Sequence, residues 1–359
     1  MDSSALAWLC LQQQADIPAP QWRALHSAVT DPRALNSLSP QQRQLLMLDS
    51  ATLDRWSQLV SEHQLTRFGT WLDELDLQVL SIHDAAYPAL LKEISDPPEL
   101  LFYRGQLSTL DRPMLAMVGS RRPSRRGADD ARDFADILAR AGMGIASGMA
   151  LGIDAAAHRG ALAAEGATVA VLGTGADICY PRSHRALYDD IAQRGLILSE
   201  LPPGSPPLRH HFPRRNRLIS GLSLGVLVVE AAIKSGSLIT ARLALEQNRE
   251  VFALPGSIHN PASRGCNGLI RSGAKLVESI DDILEELSGW TAYQRGEAAE
   301  GAAESPDSAI YRALGYEPMP VDALAGQCQL PIAQLLAELA ELELEGWVEQ
   351  QASGWQRRR

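Results

Sequence analysis

The chain has 359 residues, 45% of them hydrophobic and 21% charged, with a formal net charge of −10. That length and balance fit a soluble globular protein with room for two or three domains, and no apolar run reaches the roughly 20 residues of a membrane span. Net negative charge argues against nucleic acid only coarsely, because binding follows the local field over a groove, and the basic residues here are unevenly placed.

The N-terminal stretch MDSSALAWLCLQQQAD has an acid where a signal peptide wants basic residues, so a cytoplasmic location is expected. Cys10, Cys179, Cys266 and Cys328 form no C-x-x-C pair, which favours buried thiols over a metal or redox site. Residues 1–75 are rich in Leu, Gln, Trp and Ala. They read as a small helical domain with helices over Ser4–Gln14, Pro20–Val29, Pro40–Asp49, Thr52–Glu62 and Thr66–Glu74. Ser39-Pro40 looks like an N-cap followed by proline at the first helical position. Two β-like pieces, Gln78–Ser81 and Leu100–Tyr103, then extend the next domain.

From Met114 to residue 288 strands and helices alternate, which predicts a doubly wound, mainly parallel α/β sheet. The pivotal stretch is Met114–Gly127, MLAMVGSRRPSRRG. Five apolar residues read as a buried parallel strand, and the following turn carries four arginines and no acid. Such turns lie at the carboxyl edge of the sheet, where these folds bind ligands, and the next helix's N-terminus favours an anion. A phosphate site is therefore expected at Gly119, Ser120, Arg121 and Arg122. Residues 289–307 are Ala/Glu/Gly/Ser-rich and read as a linker. The remainder, 308–359, gives three helices and a hairpin, a winged-helix pattern.

Glycine or small polar residues recur at successive strand ends, at Gly119-Ser120, Gly173-Thr174-Gly175 and Ser235-Gly236-Ser237. Any one of these is explained by a tight turn; their recurrence suggests backbone approach to a ligand. There is no G-x-G-x-x-G spacing, no acid ending the second strand, and no G-x-x-x-x-G-K-[S/T], so a dinucleotide or ATP is unsupported. A second basic cluster, LRHHFPRRNR over Leu208–Arg217, contains Phe212, Arg214, Arg215, Asn216 and Arg217, and Arg182 follows Tyr180-Pro181. A charge run alone is usually a solvated face. Cations interleaved with aromatic rings are what single-stranded nucleic acid requires, and six arginines exceed the phosphates of a small nucleotide.

Asp154 and His158, four apart on one helix face, could form a general-base pair, but a helix-terminal aspartate and a structural histidine explain them as well. Metal-ligand spacing is absent from the sequence. The third helix of the tail carries Glu338, Glu341, Glu343 and Glu345 and no Lys or Arg, so it is unsuited to a DNA major groove and reads as a protein-contact module.

Taken together these stretches resemble the DNA-processing protein A (DprA/Smf) family. The resemblance rests on VGSRRPS (Val118–Ser124), SGMALGIDAAAH (Ser147–His158), VLGTGADICYPRSH (Val171–His184) and LSELPPG (Leu198–Gly204). It continues through HFPRRNRLISGLS (His211–Ser223), EAAIKSGSLITARLALEQNREVFALPGS (Glu230–Ser257) and GCNGLIRSGA (Gly265–Ala274). It implies an extended Rossmann-like domain over 76–288, a sterile-alpha-motif-like (SAM-like) helical domain over 1–75 and a winged-helix domain over 308–359. It also implies a non-enzymatic single-stranded DNA-binding mediator, without cofactor, that protects incoming strands and loads RecA during natural transformation. Implied partners are RecA, single-strand-binding protein and a second copy of the chain. Arg121, Arg182, the Arg214–Arg217 segment and the Ser235-Gly236-Ser237 turn fall at the family's DNA contacts, and Arg122 is an added basic residue. The rival class, nucleotide phosphoribohydrolases with a similar core, has a P-G-G-x-G-T-x-x-E motif with no counterpart here. A dedicated protein adaptor is a third reading, separable by charge reversal at Arg214 and Arg217.

Overall fold

Met114–Val118 is a strand buried on both faces. Met114, Ala116 and Val118 enter one apolar cluster, while Leu115 and Met117 enter another. That two-sided burial is why the run shows no polar alternation. The structure, a computed structural model, describes residues 3–287, 308–315, 318–344, 346–351 and 354–357. The expected linker 289–307 lies outside the described residues. Contacts divide the chain into two compact units, Met1–Glu300 and Gly301–Arg359.

Five helices open the first unit: α1 (Ser3–Gln14), α2 (Ala19–Ala28), α3 (Pro40–Leu45), α4 (Ser50–Leu59) and α5 (Glu62–Glu74). The Ser39 cap forms as expected, a capping box in which Ser39 Oγ accepts from Gln42 N–H and Gln42 Oε1 accepts from Ser39 N–H. Helix α3 stops short of Asp49 because that residue starts the next helix, its carboxylate accepting from Thr52 N–H at 2.7 Å. A short 3₁₀ turn at Pro32–Ser37, capped by Asp31, was not evident from the sequence.

The sheet follows. Its outer part is β1 (Gln78–Ser81), α6 (Ala89–Lys92) and β2 (Leu100–Gly105). Then come β3 (Met114–Val118), α7 (Arg125–Arg140), β4 (Gly144–Ser147), α8 (Ile153–Ala163), β5 (Thr168–Val171), α9 (Arg185–Arg194) and β6 (Leu196–Ser199). The second half is α10 (His211–Gly221), β7 (Gly225–Val228), α11 (Ser237–Glu246), β8 (Glu250–Ala253), α12 (Arg264–Arg271), β9 (Lys275–Leu276) and α13 (Asp281–Glu286). The strand order is β1-β2-β6-β5-β4-β3-β7-β8-β9. Only β2 runs antiparallel to its neighbours β1 and β6; the other pairings are parallel. The chain winds outward from β3 to β6, then returns to place β7 on β3's other side. The order therefore reverses between β3 and β7, the topological switch point at which open sheets bind ligands. No helix among the described residues is long and apolar enough to cross a membrane.

The five N-terminal helices have no separate core. Trp8, Leu9, Leu11 and Leu72 share one cluster with Phe102 of β2, Tyr188 and Ile191 of α9, and Ile197 of β6. The change expected at residue 75 is thus a change of secondary structure inside one unit. A polar tie reinforces it: His26 Nδ1 and His83 Nε2, from α2 and the turn after β1, lie 3.1 Å apart, and the His26 ring stacks on Trp8 at 3.6 Å.

The second unit has helices Ala309–Ala313, Val321–Cys328 and Ile332–Leu344, then the antiparallel pair β10 (Val348–Gln351) and β11 (Gly354–Arg357). Ile310, Leu324, Leu335, Leu339, Val348 and Trp355 form its core. This is the winged-helix arrangement. Its third helix exposes Glu341 and Glu343, while Glu345 lies outside the described residues.

Burial and the neighbouring His83 hold His26 down to about 3, so below pH 6.5 the unfolded chain takes up a proton that the folded chain refuses. Stability present at pH 7 is lost as the pH falls, and His26 should account for about 2 kcal/mol of that loss by pH 5. Asp130, which burial pushes up to about 6, works in the opposite sense. Urea unfolding at both pH values should show His26→Gln flattening the pH 7-to-5 difference by about that amount. An unchanged difference would remove the histidine pair as the acid-sensitive tie.

Candidate nucleic-acid interface

The turn after β3 is built tightly. A side chain at Gly119 would collide with Ile153 and the Glu230 carbonyl. Ser120 N–H donates to Glu230 O at 2.6 Å, Ser120 O accepts from Ile153 N–H at 3.1 Å, and Ser120 Oγ accepts from Arg122 N–H. The turn's polar groups are therefore matched within the protein. The anion expected at the N-terminus of α7 is present, but it is the protein's own. The carboxylate of Glu230, buried at the end of β7, accepts from Ser124 N–H at 3.1 Å and from Ser124 Oγ at 2.6 Å. Ser124 Oγ in turn accepts from Gly127 N–H, capping the helix. Arg121 and Arg122 are left exposed, with no ion pair among the described residues.

Helix α10 begins at His211, because proline is tolerated in a first turn and Pro213 does not delay it. Helical rather than loop geometry then sorts the arginines. Arg214 and Arg217, three apart, lie on one side and share Glu200, at 2.8 Å and 2.6 Å. Arg217 also meets Asp96 at 3.3 Å and is largely covered. Arg215 turns inward and is 7% exposed; its guanidinium donates to the carbonyls of Gly148 (2.9 Å) and Val171, and its Nε to Asn216 Oδ1 (3.2 Å). Gly148 has no Cβ where Arg215 passes. Three of the expected contact residues thereby have partners within the protein. Arg215 faces the interior, the half-buried Asn216 accepts from its Nε, and Arg217 is neutralised by two carboxylates. Arg214 stays exposed beside Glu200.

The Gly173-Thr174-Gly175 turn is buried, another departure from the expected open backbone. Thr174 Oγ1 donates to Ile178 O, Thr174 O accepts from Ser199 Oγ, and Gly175 N–H donates to Ser205 O. What approaches Gly173 is the ring of Phe212, which would lie 2.8 Å from a Cβ there. Seated on that glycine, Phe212 meets Tyr180 at 5.6 Å with the planes tilted 41°, and the Arg121 guanidinium lies 6.0 Å from its ring centre. Tyr180 is 44% exposed; Arg182, two residues on in sequence, and Arg209, two residues before α10, are exposed as well. The structure thus joins Arg121, Phe212 and Tyr180 into one aromatic–cation cluster from three elements. On the neighbouring turn after β7, the Ser235 and Ser237 hydroxyls bond each other at 2.6 Å, and Gly236 is open to solvent.

Asp154 and His158 are structural. The Asp154 carboxylate accepts from Gly148 and Ala150 N–H; burial pushes its pKa up, opposed by the Arg215 charge. Burial pushes Arg215 down to about 10. The Thr168 hydroxyl donates to Ile145 O, so His158 Nδ1 carries the ring proton it gives to Thr168. Burial, with His184 and Arg215 nearby, holds His158 down to about 3. No group of three or more His, Cys, Asp or Glu among the described residues could hold a metal ion. Two contributors escaped the sequence reading, Glu200 and Glu230. The available signal was an acid directly after an apolar strand, in Leu-Ser-Glu200 and Val-Val-Glu230.

Strand order and the turn at the switch point define a Rossmann-like sheet protein with a winged-helix unit. The chain belongs to the DNA recombination-mediator protein A family, whose model matches residues 78–288; the DprA winged helix domain matches residues 294–354. It is 43% identical to Protein Smf of Escherichia coli over 298 residues, 80% of this chain and 79% of that one. It is 50% identical to DNA processing protein DprA of Streptococcus pneumoniae over 207 residues, 58% of this chain and 73% of the relative. The X-ray structure of the Streptococcus pneumoniae DprA superposes with a TM-score of 0.65 at 38% identity, covering 78% of this chain and 97% of that one. DNA processing protein A of Helicobacter pylori, a structure described for its single-stranded DNA binding mode, gives 0.55 at 32% identity, covering 61% and 97%.

Arg215 and Arg121 should behave as opposites in unfolding experiments. Arg215→Met leaves two carbonyls and Asp154 without their buried cation and should cost about 3–5 kcal/mol in urea. Arg121→Ala, at the surface, should stay within about 0.5 kcal/mol. Equal effects would contradict the inward placement.

Proposed function

We propose that the chain is a single-stranded DNA-binding recombination mediator, and that its strand path crosses the carboxyl edge over the Arg121–Phe212–Tyr180 cluster. The observation that carries this reading is that cluster: the exposed Tyr180 against the half-buried Phe212, with the Arg121 guanidinium, which has no ion pair among the described residues, over the Phe212 ring; Arg122, Arg182 and Arg209 are exposed as well. Bases stack on aromatic faces whatever their identity, and cations follow the phosphates, so binding is sequence-tolerant and salt-sensitive. The single-stranded DNA binding described for the Helicobacter pylori relative supports it. The sites proposed are Arg121, Arg122, Arg182, Arg209, Arg214, Tyr180 and Phe212, with the Ser235-Gly236-Ser237 turn at the next strand end. Arg215, Asn216 and Arg217 support the helix beneath. Loading of RecA, displacement of single-strand-binding protein, dimerisation through the Rossmann-like sheet and a cytoplasmic location are proposed from the family resemblance.

Fluorescence anisotropy with labelled oligo-dT, against duplex and across a salt series, tests the reading. Arg121→Ala should weaken binding by about 1–2 kcal/mol and lower the salt slope by roughly 0.7. Phe212→Ala should cost about 1–3 kcal/mol with little change in slope. No oligo-dT binding at low salt would overturn the proposal and turn attention to nucleotide hydrolysis.

A further inference from the structure

The N-terminus of a long helix at a switch point is where a Rossmann-like sheet would receive a phosphate. In this chain α7 has sixteen residues, and its cap is engaged by a buried carboxylate from the neighbouring strand. We infer that Glu230 is a specificity-determining residue: its carboxylate occupies the phosphate position at the N-terminus of α7, excludes free phosphate and mononucleotides, and sets the turn that projects Arg121 and Arg122 outward.

Three observations converge on this. Glu230 is 5% exposed, with its carboxylate on Ser124 N–H and Oγ, the donors that an anion at this cap would take. Gly127 leaves room for it; a Cβ there would lie 2.6 Å from Glu230 Oε2. The same residue's carbonyl accepts from Ser120 N–H at 2.6 Å, so Glu230 pins the turn on both sides of Arg121 and Arg122. A mononucleotide would need its phosphate inside this occupied cap, whereas a polymer can be held from outside by the projecting guanidiniums. The exclusion stands by itself; the projection toward a polymer rests on the function proposed above.

The test compares the full-length wild type with Glu230→Ala and Glu230→Ser. Thermal unfolding is followed in sodium sulfate and in sodium chloride of equal ionic strength, and oligo-dT affinity is measured in parallel. Wild type should show only the general stabilisation that sulfate gives any folded protein, which sets the baseline. The variants should gain several degrees beyond that baseline, bind oligo-dT about tenfold more weakly in chloride, and recover part of that loss in low millimolar sulfate. If both variants are unfolded in chloride, recovery of folded signal at low millimolar sulfate, where its general stabilising effect is negligible, carries the same meaning. Variants that gain no more from sulfate than wild type does, or that stay unfolded at low millimolar sulfate, overturn the inference. Wild type failing to bind oligo-dT would instead sink the proposed function and leave the sulfate comparison decisive for Glu230.

Discussion

The carboxyl edge depends on one buried cation. Arg215 carries its charge into the interior, where the carbonyls of Gly148 and Val171 receive it beside the Asp154 carboxylate. Those carbonyls end β4 and β5, so a single guanidinium ties two strand ends to the first turn of α10. Because an α-helix turns about 100° per residue, fixing Arg215 inward fixes its neighbours: Phe212 comes down on Gly173, and Arg214 turns toward solvent. A buried charge is tolerable only when paired and hydrogen-bonded, and here both conditions hold.

Carboxylates do the complementary work on the outer side. Glu230 closes the turn after β3, and Glu200 takes Arg214 and Arg217. The basic run therefore does not present all its charge to a ligand. What remains outside is a smaller set around an aromatic pair, suited to a flexible strand that can lay bases on rings and phosphates against guanidiniums. The winged-helix unit offers no second basic surface on its third helix, where Glu341 and Glu343 are exposed.

Much of this was legible in the sequence because it depended on short-range pattern. The unbroken apolar run Met114–Val118 announced a strand covered on both sides, and the alternation after it announced a parallel sheet. The Ser39-Pro40 cap was equally local. What the sequence hid were partners supplied from far away. Ser124 and Glu230 are 106 residues apart, and Arg215 lies 67 from Gly148, so neither role could be read from its own neighbourhood. The basic run is a related case: its composition does not say which arginine turns inward, and distant partners, Gly148 and Val171 for Arg215, Asp96 and Glu200 for Arg217, decide it.

The antiparallel extension has a consequence for biosynthesis. Phe102 of β2 pairs with Ser199 of β6, and the N-terminal helices share their core with α9 and β6. A ribosome must therefore deliver more than half of the chain before Trp8 and Leu9 find their final neighbours. Until then α1, apolar on every side, is a nascent segment with no permanent cover. Non-local pairings of this kind fold slowly and expose aggregation-prone surface while they wait. The half-made protein, rather than the finished one, is where a chaperone holding the N-terminal helices would matter most.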